Sequence, residues 1–267
     1  MAPLVIPDQP VLSSIGAVCA IVISTLWAHR SGLVWWKALL AGGGAGLCGA
    51  AGGRVLWAIV EWEYILANPF ALVDPFKGGA TSFGALAGAT LGAALALRLM
   101  KVSIWRYADV LAPPGLIGIA FARVGCLMRS CDFGRVTDLP WAVQHSMASR
   151  IWRVHLSEGL VTGFDPMTAP IHPFPLYLVA WGLCCFLLVF RWPELFGRAA
   201  GQRAVGVAAL WCLGRFAIEF VRHPGDAPRV VGDLLNLGHM FALTGFAIMV
   251  SCHVLLGRRQ TTASLAD

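Results

Sequence analysis

Charge is what this sequence has least of. Asp, Glu, Lys and Arg make up only 13% of its 267 residues, against about 25% in soluble domains, which excludes an ordinary soluble fold. Hydrophobic residues reach 58% and the mean hydropathy is +0.71, so the chain reads as an all-α integral membrane protein. Its net charge of +6 does not call for a nucleic acid, because basic membrane proteins concentrate Lys and Arg in cytoplasmic loops. No basic residue precedes the first apolar run in MAPLVIPDQP, so no cleaved signal peptide is expected. The eight cysteines show neither a disulfide framework nor zinc spacing; six lie in apolar runs, where cysteine is a small hydrophobe. No metal or cofactor is implied. There is no internal repeat and no low-complexity linker. A proton-coupled carrier would need an acidic relay inside a span, and none is present.

A spanning helix takes about 20 mostly apolar residues. Seven stretches qualify: 11–28, 38–60, 80–99, 108–127, 174–191, 204–222 and 231–256. Pro113, Pro114, Gly115 and Gly118 interrupt the fourth, which reads as a broken or re-entrant segment lining a cavity. Arg30, Lys37, Arg98, Lys101, Arg106, Arg191, Arg198, Arg203, Arg258 and Arg259 fall on alternate connections. Seven spans put all of them on one side, hence an outside amino end and a cytoplasmic carboxyl end. The long connection 128–173 is then a small extracytoplasmic head between helices 4 and 5, inserted in a single transmembrane domain, 1–267. Loop 62–79, with Trp62, Tyr64, Phe70 and Phe76, suits the membrane interface. Glycines in Ala41–Gly53 and at Gly84, Gly88 and Gly92 make small faces for close helix packing.

The remaining basic residues are Arg54, Lys77, Arg123, Arg129, Arg135, Arg150, Arg153, Arg215, Arg222 and Arg229. A charge near the bilayer centre costs about 2.5–3.5 kcal/mol on insertion scales, so those retained face a partner or a cavity. Arg215, Glu219 and Arg222 share one helix stripe. An Arg–Glu pair could simply lock helices together. Several arginines near the external helix ends, with few acids beside them, fit a site for an anion, because the guanidinium fork matches phosphate oxygens. In a membrane that anion is a phospholipid headgroup. His172 at a helix start reads as a cap, and His145 and His155 as solvent-facing head residues. Asp109 and Asp233 suit helix amino-terminal dipoles, and His223 to Asp226 reads as a turn. Cys126 and Cys131, alone among the cysteines in sitting among charges, admit three readings: unlinked thiols, a disulfide, or a reactive thiol beside arginines.

Five pieces in order carry a resemblance: Gly52-Gly53-Arg54; GGATSFGALAG (Gly78–Gly88); FARVGCLMRSCDFGRVTDLPWAV; HPFPLY (His172–Tyr177); and GRFAIEFVRHPGD (Gly214–Asp226). Together they resemble the bacterial prolipoprotein diacylglyceryl transferase family, across most of the chain from residue 52. The resemblance implies a multi-pass enzyme of the bacterial inner membrane. It would move the diacylglyceryl group of phosphatidylglycerol to the thiol of a lipoprotein-precursor cysteine, releasing glycerol phosphate. By position, Arg123 and Arg215 would hold the phosphate. Glu219, Arg222, Gly134 and Arg135 would shape and support the site, with Arg54 and Tyr177 also placed at the substrate. The sequence departs from the family pattern at its histidine (Gly84 here), its asparagine and acid (Cys126 and Cys131), two tyrosines (Ile15 and Trp211) and a Ser-Gln pair (Phe174-Pro175). Three further readings follow from the departures: transfer to another acceptor, a catalytically silent phospholipid-binding paralogue, and a membrane thiol oxidoreductase using Cys126 and Cys131.

Overall fold

A computed structural model describes residues 9–74, 79–147, 149–226, 229–231 and 235–264. Lys77, Phe76 and Asp233 lie outside the described residues. The chain is mostly helical. Its long helices are α1 (Gln9–Arg30), α2 (Trp35–Val60), α4 (Ser82–Leu99), α5 (Ile104–Arg129), α7 (Phe174–Arg191), α8 (Gln202–Glu219) and α9 (Leu237–Ser264), with short α3 (Trp62–Ala67) and α6 (Arg150–Ser157) between them. A two-stranded antiparallel hairpin, β1 (Arg229–Val231) and β2 (Leu235–Asn236), precedes α9.

Six of these helices, α1, α2, α4, α5, α7 and α9, are long and apolar enough to cross a membrane. At 1.5 Å per residue, 18 residues span about 27 Å, close to the hydrocarbon thickness. Their outer faces carry exposed apolar side chains such as Leu47, Leu91 and Leu187, surface that only a lipid solvent leaves unpenalised. The chain is a multi-pass membrane protein. The expected span at 204–222 is helical too, as α8, but Arg203, Arg215 and Glu219 make it more polar than the other six.

One expectation is corrected. The fourth span is neither broken nor re-entrant: α5 runs unbroken from Ile104 to Arg129 with Pro113 and Pro114 inside it. Each proline removes one i→i−4 bond, a loss that spanning helices absorb when neighbouring groups satisfy the freed carbonyls. Asp109 is the sixth residue of α5, past the first turn where a helix dipole acts.

The chain divides into two compact units, residues 17–115 and residues 1–16 with 116–267. In the first, Ala28, Ala38, Ala41, Leu97, Tyr107 and Val110 form a buried core, and α2 lies against α4 with backbone almost touching backbone. A Cβ at Gly84 would overlap the Gly52 carbonyl oxygen, one at Gly88 that of Cys48, and one at Gly92 that of Gly44. Thr81 caps α4 by accepting from the Gly84 amide at 3.2 Å.

In the second unit the long connection folds on a small core of Phe133, Ile151 and Ile171. Backbone bridges pair Val136 and Val143 with Ile171, and Ser146 with Met167. Ser149 caps α6 by accepting from the Trp152 amide at 3.1 Å. The amphipathic α6 turns Ile151, Trp152 and His155 inward. His155 is therefore fully buried rather than solvent-facing, and neither ring nitrogen has a hydrogen-bond partner. Its neighbours are Phe133 and His223, and His223 in turn meets Glu158 at 3.1 Å.

Burial, with the nearby His223, holds the His155 ring below the usual histidine range. The folded protein keeps this ring neutral, while the unfolded chain takes up a proton below about pH 6.5. Stability is complete above that pH and is lost as pH falls through it. The melting temperature is expected to be lower at pH 5.5 than at pH 7.5, and His155→Leu should flatten that dependence. An unchanged slope in the variant would assign the effect to other groups, with His145 next in line.

Candidate active site

Four arginines and three carboxylates meet at the end of α5, the end of α8 and the turn after it. Arg215 and Glu219 lie one turn apart on α8, in contact at 2.5 Å but without hydrogen-bond alignment, so that Arg215 Nη1 and Glu219 Oε2 make no hydrogen bond. Glu219 is fully buried, and its other oxygen accepts from Arg222 Nη1 at 3.0 Å. Arg222 also donates to Asp226 (2.8 Å) and reaches Asp132 at 3.4 Å. Asp132 ion-pairs with Arg123 as well, and Asp226 accepts from Arg150 at 3.2 Å. Burial pushes the Asp226 carboxyl above the ordinary range, while Arg222 pulls it back down. With all three carboxylates ionised, they balance the largely buried Arg123, Arg215 and Arg222, and the half-exposed Arg150 adds one positive charge at the rim.

The ring of Phe174 forms the floor. It is fully buried, with the Arg215 guanidinium 5.1 Å and that of Arg222 5.5 Å from its centroid. Two cations lie against one aromatic ring, an attraction strongest where water is excluded.

Residues 133–135 thread between two other segments and set this floor in place. Phe133 accepts from the His223 amide (3.0 Å), the Arg135 amide donates to Val221 (2.8 Å), and the His172 amide donates to Arg135 (3.0 Å). Gly134 pairs with Arg222 as an isolated bridge. A Cβ on Gly134 would lie 2.5 Å from both Cβ and the carbonyl oxygen of His172, so only glycine lets these strands approach. Arg135 Nε donates to the Arg222 carbonyl at 3.3 Å, and its side chain is exposed. Tyr177 Oη accepts from Trp141 Nε1 (2.8 Å) and shares a 3.0 Å hydrogen bond with His172 Nδ1. His172 thus belongs to a side-chain cluster rather than serving as a bare helix cap, and burial lowers its pKa.

The structure brings Arg123, Arg215, Glu219, Arg222, Gly134, Arg135 and Tyr177 into one unit. Arg54 belongs to the other unit, where its guanidinium donates to the carbonyls of Ala71 (3.3 Å), Asp74 (2.6 Å) and Gly79 (3.1 Å). The expectation of few acids near the arginines is corrected: Asp132 and Asp226 join Glu219. Asp226 lies in the turn after α8, where helical spacing no longer applies, so its pairing with Arg222 was not readable from periodicity. Asp132 stood in the charged stretch without being singled out. In the sequence Arg150 stands only among the unexplained basic residues and Phe174 only as a departure from the family pattern; neither could be placed beside the cluster, since their neighbours are set by the folding of the head.

Cys126 and Cys131 are free thiols. They are held side by side where α5 ends: the Cys131 amide donates to the Cys126 carbonyl at 3.0 Å, and both sulfurs touch the side-chain amide of Gln9. Gln9 Nε2 donates to Cys126 Sγ at 3.4 Å, and Cys131 Sγ donates to Gln9 Oε1 at 3.8 Å.

The family model for prolipoprotein diacylglyceryl transferase matches residues 10–255. A phosphatidylglycerol–prolipoprotein diacylglyceryl transferase of Clostridium perfringens is 26% identical over 80% of this chain and 78% of its own length. One from Streptomyces coelicolor is 31% identical over 79% of this chain, which spans 58% of that longer protein. One from Chloroflexus aggregans is 28% identical over 95% of this chain and 85% of its own.

Proposed function

The chain belongs to the prolipoprotein diacylglyceryl transferase family, and from that membership we propose that it transfers the diacylglyceryl group of phosphatidylglycerol to the cysteine thiol of a lipoprotein precursor. The observation that supports the reading is the convergence of three largely buried guanidinium groups, Arg123, Arg215 and Arg222, on one place, with Arg150 adding a fourth positive charge from the exposed rim.

The reaction is a displacement. The acceptor thiolate attacks the glyceryl carbon that bears the phosphate, the C–O bond breaks, and its electron pair leaves on the phosphate of glycerol phosphate. The protein must stabilise the phosphate as that charge develops. Arg123 and Arg215 are assigned to its oxygens, and Glu219 and Arg222 hold Arg215 in place. A bidentate fork suits a phosphate better than a point charge, and fixed donors in a dry site cost no reorganisation during the reaction. Gly134 and Arg135 shape the wall behind Arg222, Tyr177 fixes His172 and Trp141 beside it, and Arg54 is assigned a substrate role by the family resemblance alone. No cofactor enters this chemistry.

We place α8 across the membrane as a seventh span, with an outside amino end, a cytoplasmic carboxyl end and residues 128–173 as an extracytoplasmic head in one transmembrane domain. The loop arginines support this by the positive-inside rule, and a bacterial inner membrane supplies both substrates.

Membranes containing the protein, given labelled phosphatidylglycerol and a cysteine-bearing precursor peptide, are expected to transfer label to the peptide thiol and release glycerol phosphate in equal amount. Binding of phosphatidylglycerol without glycerol phosphate release would overturn the transferase reading and leave a lipid-binding protein.

A further inference from the structure

The left-handed backbone of Ser130 (φ 54°) ends α5 and folds residue 131 back over the last turn. The Cys131 amide donates to the Cys126 carbonyl at 3.0 Å, and one Gln9 side-chain amide bridges the two sulfurs. Cys126 is buried, whereas Cys131 is half-buried and can be reached. Cys131 is also tied to the arginine cluster twice. Its carbonyl accepts from Arg150 Nη1 at 2.8 Å, and the next residue, Asp132, is the carboxylate that joins Arg123 to Arg222.

We propose that Cys126 and Cys131 form a reversible dithiol–disulfide couple whose oxidation disables the arginine site beside it. The effect on activity rests on the transferase reading above; formation of the bond does not. The oxidant is a disulfide, either a small molecule or a disulfide-bearing protein. Cys131 thiolate attacks one sulfur of that disulfide, and the first oxidant thiol leaves. Cys126 then gives up its proton and attacks Cys131 Sγ of the mixed disulfide, releasing the second oxidant thiol. Two electrons pass from the pair to the oxidant, one S–S bond is lost and one is gained. The attacking role falls to Cys131 because the hydrogen bond from Cys126 holds its thiol below the usual range, with Arg129 and Arg150 helping.

A covalent S–S bond of about 2.05 Å replaces the present arrangement, in which the sulfurs meet through Gln9 at 3.4 and 3.8 Å. Closing it pulls residue 131 toward α5 and away from Gln9. The Arg150 contact and Asp132 move with it, so Arg123 and Arg222 lose their common partner.

The test uses the full-length protein in phosphatidylglycerol-containing nanodiscs, oxidised with glutathione disulfide or reduced with dithiothreitol. Trypsin separates the two cysteines into VGCLMR and SCDFGR, so the bond appears as a linked peptide pair in mass spectra. The expected result is a linked pair after oxidation, a fall in transfer of at least tenfold, and recovery of both on reduction. The Cys126→Ser/Cys131→Ser variant should lose its response to glutathione disulfide. Glutathione adducts on Cys131 with no linked pair would overturn the couple, as would a linked pair with unchanged transfer. If the reduced protein releases no glycerol phosphate, the transferase reading fails instead, and the linked pair alone decides the thiol chemistry.

Discussion

Arg215→Ala is expected to lower transfer of the diacylglyceryl group by about 10²–10³-fold, the usual cost of removing one preorganised donor from a developing anion. Arg215 stacks on Phe174 and contacts the fully buried Glu219. Its removal does not strand that carboxylate, because Arg222 still donates to the other oxygen at 3.0 Å. Stability should therefore fall by less than the 3–5 kcal/mol typical of breaking a buried ion pair outright, and folded protein should still be recovered. Arg215→Lys keeps the charge but gives up the planar fork, so it should recover only part of the rate. The measurement is label transfer from phosphatidylglycerol to a precursor peptide, with the melting temperature followed alongside. Transfer at the wild-type rate in Arg215→Ala would remove Arg215 from the site.

Gly84→His, which restores the histidine of the family pattern, is expected to destroy the fold rather than improve catalysis. A Cβ at residue 84 would overlap the Gly52 carbonyl oxygen and lie 2.8 Å from both Leu56 Cβ and Thr81 Oγ1. None of these can give way cheaply, since two are parts of α2 and the third is the cap of α4. Overpacking a good core costs about 1–3 kcal/mol. Forcing two helix backbones apart belongs to the rare losses above about 4 kcal/mol. Gly84→Ala should already lower the melting temperature, and Gly84→His should leave little folded protein in detergent extracts. A histidine variant that folds at wild-type yield with an unchanged melting temperature would show that α2 and α4 can separate here. In the present packing, position 84 holds two helices together and has no room for an imidazole.

These two residues show how differently parts of the molecule could be read in advance. Arg215, Glu219 and Arg222 were legible because helical periodicity alone puts residues three and four apart on one face, and because charge in an apolar run is costly enough to need a reason. The glycines of α2 and α4 were legible as packing faces, though not the depth of their approach. Asp132, Arg150, Phe174 and Asp226 were not singled out. They join one cluster from separate parts of the chain, Arg150 through Asp226 and the others through the arginines, and sequence distance carries no information about such meetings. His155 was misread as exposed because a histidine in a polar segment looks solvated until α6 turns its inner face onto Phe133 and His223.

The sequence by itself determined that the chain is helical and membrane-embedded and where its long helices lie, because burial in lipid demands unbroken apolar length and that demand is local. It also singled out the arginines that need a partner. Tertiary structure alone decided that α5 continues through two prolines, which carboxylates neutralise which arginines, and that Cys126 and Cys131 touch. Each of these depends on contacts made after the helices pack, when long-range neighbours settle what local propensity leaves open.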